Sequence, residues 1–400
     1  MKKIFNNMPF YPNKSIQKVG ALLKSGKVNY WTGNEGKKFE KEFSSYIGNK
    51  YSVTLSNGSV ALELVLKALN LKSKDEIIVS PRSFIISASC TINLGLKPVF
   101  ADVDHNGNLS IDGIKKAYNK NVKAIIVVHL NGLSCDLDPI LKFVKKNKIF
   151  LIEDCSQAHG ALYKGKKVGS FGDIATWSFC QDKIISTGGE GGMISTNNKK
   201  LWLKCWSLKD HGKNHYKVFF KKHKTGFRWL HDNLGSNYRM TEIQALLGRE
   251  QLKSLDNQIK KRNTIANLYL NGLKDYYEKY NILKKPDFNC KCNLRQSKKS
   301  CIKCIHAFYR LNLFINKKKI KQIELLEQLN KEKINCGVGS CAEIYREKIF
   351  KKLKFYPKQR LLNAKLLGET SIVFPINSNR PLTQIKLEIN LIKKILNKYL

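Results

Sequence analysis

The chain is short of acid and of long apolar runs. Thirty-one Asp and Glu stand against 72 Lys and Arg, a formal net charge of +41. No apolar stretch approaches the ~20 residues needed to cross a bilayer. After Met1-Lys2-Lys3 the sequence is broken at once by Asn6, Asn7 and Pro9, so no secretory segment forms there. These absences lead us to expect a protein of the cytoplasm with no membrane partner. Internal repeats are missing too, and scattered lysine is the only compositional bias.

A charge of +41 suits a nucleic-acid or anionic-surface binder. The excess, however, is nearly all lysine, spread through every segment, without the compact arginine–aromatic clusters that read nucleic acid. We read it as a solvated lysine surface and expect no nucleic-acid partner. At 42% hydrophobic and 10% aromatic residues the chain can bury a large core, which excludes disorder. Its 400 residues suit two domains, placed at 1–255 and 256–400.

Cysteine is plentiful but odd in number, at eleven, which disfavours a complete disulfide framework. Cys90, Cys155, Cys180 and Cys205 sit among apolar or small residues and are expected to pack as small hydrophobes. Cys290-x-Cys292 and Cys301-x-x-Cys304, with His306 close behind, form a basic insertion at about 286–306. Two readings of it stay open: a structural zinc site or free thiols.

Apolar runs alternate with helical spacing, the pattern of an α/β protein. Strands are expected at Tyr51 to Leu55, Ile77 to Val79, Pro98 to Phe100, Ala124 to Val128, Phe150 to Ile152, Ala175 to Phe179 and Met193 to Ser195. Helical spacing falls at Val60 to Leu69, Ser87 to Leu94, Ile111 to Tyr118 and Ile140 to Lys146. Thr241 to Leu273 reads as one long helix or a helix pair joining the domains. Beyond it come a strand at Ala307 to Ile315, a helix near Ile320 to Glu332 and a final helix at Leu387 to Leu400.

Two stretches carry the chemistry. Glu153-Asp154-Cys155-Ser156-Gln157-Ala158-His159-Gly160 ends an apolar strand on an acidic pair. Ser178-Phe179-Cys180-Gln181-Asp182-Lys183 ends another on a serine and a lysine, followed by the glycines of Gly188 to Gly192. A carboxylate and a lysine at adjacent strand ends are what pyridoxal phosphate requires: the lysine for a Schiff base, the carboxylate to keep the pyridine nitrogen protonated. Asp154 ends the strand, whereas Glu153 points to its opposite face. Asn57-Gly58-Ser59-Val60 opens a helix whose free N–H groups suit a phosphate, although an ordinary capped helix reads the same way.

With Trp31-Thr32-Gly33, Asn57-Gly58-Ser59, Ser236-Asn237-Tyr238-Arg239-Met240 and Gly339-Ser340-Cys341-Ala342-Glu343-Ile344-Tyr345, these motifs resemble the DegT/StrS nucleotide-sugar aminotransferases. The resemblance covers nearly the whole chain. It implies a fold-type I large domain with a mostly parallel seven-stranded sheet, and a smaller C-terminal α+β domain. It implies pyridoxal 5′-phosphate held by Gly58, Ser59, Val60, Phe84, Asp154, Gln157, Ser178, Lys183 and Asn237. Lys183 and Asp154 would be the catalytic pair, and Phe84, which alone reads as core, would stack on the cofactor ring. Asn237 would reach the site of a second copy, making a homodimer with shared active sites. Trp31, Thr32, His211, Tyr238, Arg239 and Tyr345 would lie near substrate, although Arg239 also reads as a partner for Glu242. His129 and His159 would lie near the cofactor, with a buried structural role equally open to both.

The implied reaction is transamination from an amino acid, L-glutamate by resemblance, to a keto sugar on a nucleotide diphosphate, serving amino-sugar or surface-polysaccharide synthesis. The positive field would steer that anionic substrate. A related sugar dehydratase carries histidine at the lysine position, which Lys183 disfavours. A non-enzymatic regulator or nucleic-acid binder is the remaining alternative. The loop after Lys183 is one glycine longer than the common family form.

Overall fold

The computed structural model describes residues 9–287 and 304–400. Its centre is a seven-stranded sheet built from Tyr51–Leu55 (β1), Glu76–Val79 (β2), Lys97–Phe100 (β3), Val122–Val128 (β4), Phe150–Asp154 (β5), Ile174–Ser178 (β6) and Gly192–Thr196 (β7). The order across the sheet is β1-β7-β6-β5-β4-β2-β3. The neighbours from β3 to β6 all pair in parallel, and β7 runs antiparallel to both β6 and β1. Parallel strands demand crossovers, and their helices cover both faces, so these strands read as continuous apolar runs.

Alternation along each strand divides the buried residues between two cores. Ile125, Val127 and Leu151 face one side, among Phe39, Phe43 and Trp177. Ala124, Ile126 and Ile152 face the other, among Leu55, Leu62 and Trp206. The same parity continues to the end of β5. Glu153 follows Leu151 by two and points into the first core's side; Asp154 follows Ile152 and points to the second.

A three-stranded antiparallel sheet, Leu283–Lys284 (β8), Arg310–Ile315 (β9) and Ser371–Pro375 (β10), supports a third core with Leu325, Leu329, Ile385 and Ile392. The helix Glu242–Gly272 is a single element of 31 residues, started by a capping box between Thr241 and Gln244. Its first half packs Leu255 and Ile259 into the large sheet's core, and its second half packs Ile265 and Tyr269 into the third.

The sequence pattern did not indicate β10, because a five-residue apolar run ending at Pro375 carries no period. Nor did it indicate the helices Asn13–Lys24 and Glu35–Ile47. The last long helix is Leu382–Leu396, starting five residues before the expected Leu387. Among the described residues, no helix is long and apolar enough to cross a membrane.

Candidate active site

A cavity of about 850 Å³ opens where β5 and β6 end. Parallel sheets place their sites at such carboxyl ends, where connections leave in different directions. Gly58, Ser59, Phe84, Asp154, Gln157, Ser178 and Lys183 all line it. These residues come from four separate segments of the chain, and the fold brings them together.

Asp154 is 5% exposed. One carboxylate oxygen accepts the Ser156 N–H at 3.1 Å and the other accepts the Ser87 hydroxyl at 3.4 Å. Behind it, Glu153 has no exposure at all and serves the scaffold. It accepts the N–H groups of Gly169, Phe171 and Gly172 at 2.8, 2.8 and 2.6 Å, and His129 Nε2 lies 3.0 Å away. Burial alone pushes the Glu153 carboxyl up, but His129 and these N–H donors outweigh it and hold the group below the usual carboxylate range. His129 Nδ1 accepts the Cys135 N–H at 3.1 Å. His129 is thus a buried partner of Glu153, and it does not line the cavity.

The helix Gly58–Ala68 aims its N-terminus into the cavity. The Asn57 side chain accepts the Val60 N–H at 2.9 Å, so that donor is used within the cap. The N–H groups of Gly58 and Ser59 take no acceptor among the described residues. A Cβ at Gly58 would stand 2.7 Å from Ser178 Cβ, so only glycine lets this helix start close against β6. Gln157 accepts the Asn131 N–H at 2.8 Å through Oε1, fixing the amide and turning its NH₂ away from that bond.

Lys183 donates to Asp182 Oδ1 at 3.0 Å and stands 5.2 Å from the Tyr309 ring centre. The Tyr309 hydroxyl donates to the other Asp182 oxygen. Arg310 donates to that hydroxyl at 3.1 Å and lies 3.5 Å from Asp182. Burial lowers the Lys183 pKa, but Tyr309 and Asp182 together outweigh it and hold the ammonium above its ordinary range. Below lies His159, packed on Trp177 and Phe179 with neither ring nitrogen hydrogen-bonded to a side chain. Burial, then Lys183 and Arg262, lower its pKa to about 3, so it is neutral at physiological pH.

The donor set fits pyridoxal phosphate on four observations. Unpaired N–H groups at a helix start, beside the Ser59 and Ser178 hydroxyls, suit a phosphate. Phe84 is 68% exposed on the cavity wall, a flat apolar face with nothing against it. A buried carboxylate and a lysine complete the arrangement.

The remaining expected residues lie elsewhere. Val60 is half-buried and Asn237 is exposed; neither lines the cavity. Arg239 pairs with Asp210 at 2.7 Å, and the alternative pair with Glu242 is not formed. Glu242 instead accepts the N–H groups of Glu35 and Gly36. Tyr238 uses its backbone to bind Ser56 and Lys209. Trp31 packs on Trp206 and Phe219, Thr32 donates to the Asn29 carbonyl, and His211 takes a positive φ of 56°. Tyr345 is buried and donates to Glu343. Cys290, Cys292 and Cys301 lie outside the described residues. Cys304 is disulfide-bonded, so its sulfur is not a thiolate ligand, and the zinc reading has no support.

Asp182, Tyr309 and Arg310 are among the cavity residues to which no role is assigned from sequence. Asp182 directly precedes Lys183, a signal within reach. Tyr309 and Arg310 arrive at the start of β9 from more than 120 residues away, and no local pattern announces that.

A lysine and a buried carboxylate at neighbouring strand ends of this sheet, beside an open helix N-terminus, define a fold-type I pyridoxal phosphate enzyme. Residues 11–386 match the DegT/DnrJ/EryC1/StrS aminotransferase family, and the chain belongs to that family. It is 38% identical over 270 residues to the GDP-perosamine synthase of Escherichia coli O157:H7, covering 67% of this chain and 71% of that protein. It superposes on the aminotransferase from Psychrobacter cryohalolentis with a TM-score of 0.92 at 40% identity, covering 98% of both chains. An E. coli GDP-4-keto-6-deoxy-D-mannose-3-dehydratase with bound hydrated pyridoxal phosphate matches at a TM-score of 0.83 and 25% identity, covering 96% of this chain and 99% of that one.

Proposed function

We propose that the protein transfers an amino group from an amino acid, L-glutamate in our reading, to a keto sugar carried on a nucleoside diphosphate. The product would feed amino-sugar and polysaccharide synthesis in the cytoplasm. The observation that carries this reading is the meeting of Lys183 and Asp154 on one cavity, with the Gly58–Ser59 helix start on its wall.

Bound pyridoxal phosphate would supply an electron sink for the carbanion formed at the donor's α-carbon. Gly58, Ser59 and Ser178 would hold the phosphate, and Phe84 would cover one face of the ring and exclude water. Asp154 would hold a proton at the pyridine nitrogen, its carboxylate directed by the bonds it accepts from Ser156 and Ser87. Gln157 would donate its amide N–H to the ring hydroxyl. Lys183 would anchor the cofactor, then act as general base, taking the proton from the donor's α-carbon and delivering it to the cofactor's aldehyde carbon, two bonds away. The lysine at 183 also separates this chemistry from the dehydratase alternative, whose base is a histidine at that position.

A second copy of the chain is part of the proposal. Phe220, Phe227, Trp229 and Leu234 are 66%, 77%, 81% and 89% exposed, just before the exposed Asn237. Apolar exposure of that density favours burial against another subunit, and Asn237 would then serve that subunit's phosphate. The lysine-rich surface would attract the anionic sugar nucleotide without contributing to catalysis.

The test is a two-stage assay. The cofactor-loaded enzyme is charged with glutamate, freed of it, and given UDP-, GDP- and dTDP-linked keto sugars. An amino sugar from one of these is expected. A charged enzyme that aminates none of them, yet aminates free keto acids, would contradict the sugar-nucleotide reading.

A further inference from the structure

Another cavity, of about 630 Å³, lies where the N-terminal arm, the long helix and the loop after β10 meet. Phe10 comes from the arm, Lys261, Thr264 and Ile265 from the helix, and Ser378 to Leu382 from the loop. None of them lines the cavity of Lys183, and among the described residues no Asp or Glu lines this one. Its walls are tied down. Gln251 donates to the Phe10 carbonyl at 2.8 Å, and the Asn377 side chain accepts the Asn379 N–H at 2.9 Å. Arg262, beside Lys261, donates to the Ile376 carbonyl and, at 3.2 Å, to that of Phe308.

Donors without acceptors gather here. The helix Leu382–Leu396 starts at this cavity, and its N-cap is Pro381, which has no side-chain acceptor to offer. The first helical bond runs from the Ile385 N–H to the Pro381 carbonyl. The N–H groups of Leu382, Thr383 and Gln384 therefore take no acceptor among the described residues. An open helix start is common and selects no ligand by itself. Ser378 is the independent observation: it is 7% exposed, it lines the cavity, and its hydroxyl has no partner among the described residues. A buried hydroxyl left in that state costs free energy that an entering acceptor recovers. Arg380 Nε is likewise enclosed without a partner, while its terminal nitrogens serve Glu388 and Tyr269. Lys261 is exposed and forms no ion pair among the described residues, so it is the uncompensated charge of the cavity.

We propose that this cavity is a second anion site, separate from the cofactor's, and that it takes the phosphate group of a small phosphate ester. Three N–H groups, a hydroxyl and an ammonium outnumber the roughly four acceptor positions of a carboxylate. The three oxygens of a phosphate can meet them all, and the positive end of the helix dipole favours a dianion. The volume falls in the range of small-molecule sites and leaves room beyond the phosphate itself. Phe10, Ile265 and Leu382 supply apolar surface in that room, which suits the ring of a nucleotide. Occupancy requires nothing of the chemistry at Lys183. It would brace the joint at which Arg262 ties the long helix to the segments entering and leaving the second sheet.

Calorimetric titration of the cofactor-loaded protein with inorganic phosphate, alone and in competition with uridine 5′-monophosphate, tests this. Phosphate should saturate one site per chain. The nucleotide should displace it, binding at least about tenfold more tightly because its ring covers apolar surface. Lys261→Glu should weaken phosphate binding by about tenfold or more, and Lys261→Arg should not. Lys261 is exposed, so its reversal should leave the fold intact. Ser378→Ala should cost about threefold to tenfold in affinity. Phe10→Ala should erase the nucleotide's margin and leave phosphate binding unchanged. Equal affinities for the two anions, both lost in Lys261→Glu, would support the site with free phosphate as its occupant. Phosphate binding that neither Lys261→Glu nor Ser378→Ala alters, or no saturation by about 10 mM, would overturn the assignment.

Discussion

The hydroxyl of Tyr309, the residue just before β9 of the second sheet, donates to the carboxylate of Asp182, the residue beside Lys183 in the large sheet's loop. This contact carries the C-terminal third of the chain into the cavity. It also fixes the acid that holds Lys183 as an ammonium. Burial opposes that charge, and Tyr309 and Asp182 overcome the opposition.

Cofactor attachment therefore depends on pH in a direction set by Asp182. The neutral amine is the nucleophile, and its fraction at neutral pH falls as the pKa rises. Asp182→Asn removes one of the groups that raise the Lys183 pKa. Recombination of the apoprotein with pyridoxal phosphate should then become faster near neutral pH, with the midpoint of its pH profile displaced downward. An unmoved midpoint would mean that Asp182 does not govern the charge on Lys183.

Adjacent acids on β5 should fail in different ways. Asp154→Asn should keep the fold and lose about 100-fold or more in turnover, roughly 3 kcal/mol of barrier. Glu153→Gln should instead cost about 3–5 kcal/mol of stability, because it leaves three N–H donors and His129 without their buried carboxylate. The Glu153 carboxyl lies below its ordinary range in the folded state. Its contribution is therefore present above the unfolded-state pKa and is lost as pH falls through the depressed folded value. Denaturant titrations of wild type and Glu153→Gln should converge in acid and separate at neutral pH. Curves that stay equally separated in acid would contradict this.

This division was legible in the sequence, because strand parity alone sends residues 153 and 154 to opposite faces. The order of the large sheet's strands along the chain was also legible, and Gly58, Ser178 and Lys183 follow from motifs that open a helix or end a strand, whereas Phe84, which alone reads as core, and Gln157 were placed by the family resemblance. What escaped was assembled at long range. Arg310 looks like any residue of an amphipathic strand until β9 is seen against the loop of Asp182. The pairing of Arg239 with Asp210 escaped for the same reason: Glu242 was the nearer acid in sequence, but it faces Glu35 and Gly36. The strand Ser371–Pro375 is too short and too uniformly apolar to show a period.

Shared active sites can be tested by complementation. If Asn237 serves a neighbouring subunit, Asn237→Ala and Lys183→Ala damage two halves of one site. Mixing the two inactive homodimers under exchange conditions should recover about one quarter of wild-type activity, since about half the dimers are mixed and each has one intact site of two. No recovery after verified exchange would place Asn237 in its own chain's site.

Borohydride reduction of the cofactor-loaded protein, followed by mass mapping of its peptides, tests the central claim most directly. A Schiff base at the end of β6 would be fixed as a stable phosphopyridoxyl group. One such group per chain is expected, on Lys183, and none in Lys183→Ala despite retained binding of the free cofactor. Label on another lysine, or label spread thinly over the many surface lysines with none enriched at 183, would contradict it.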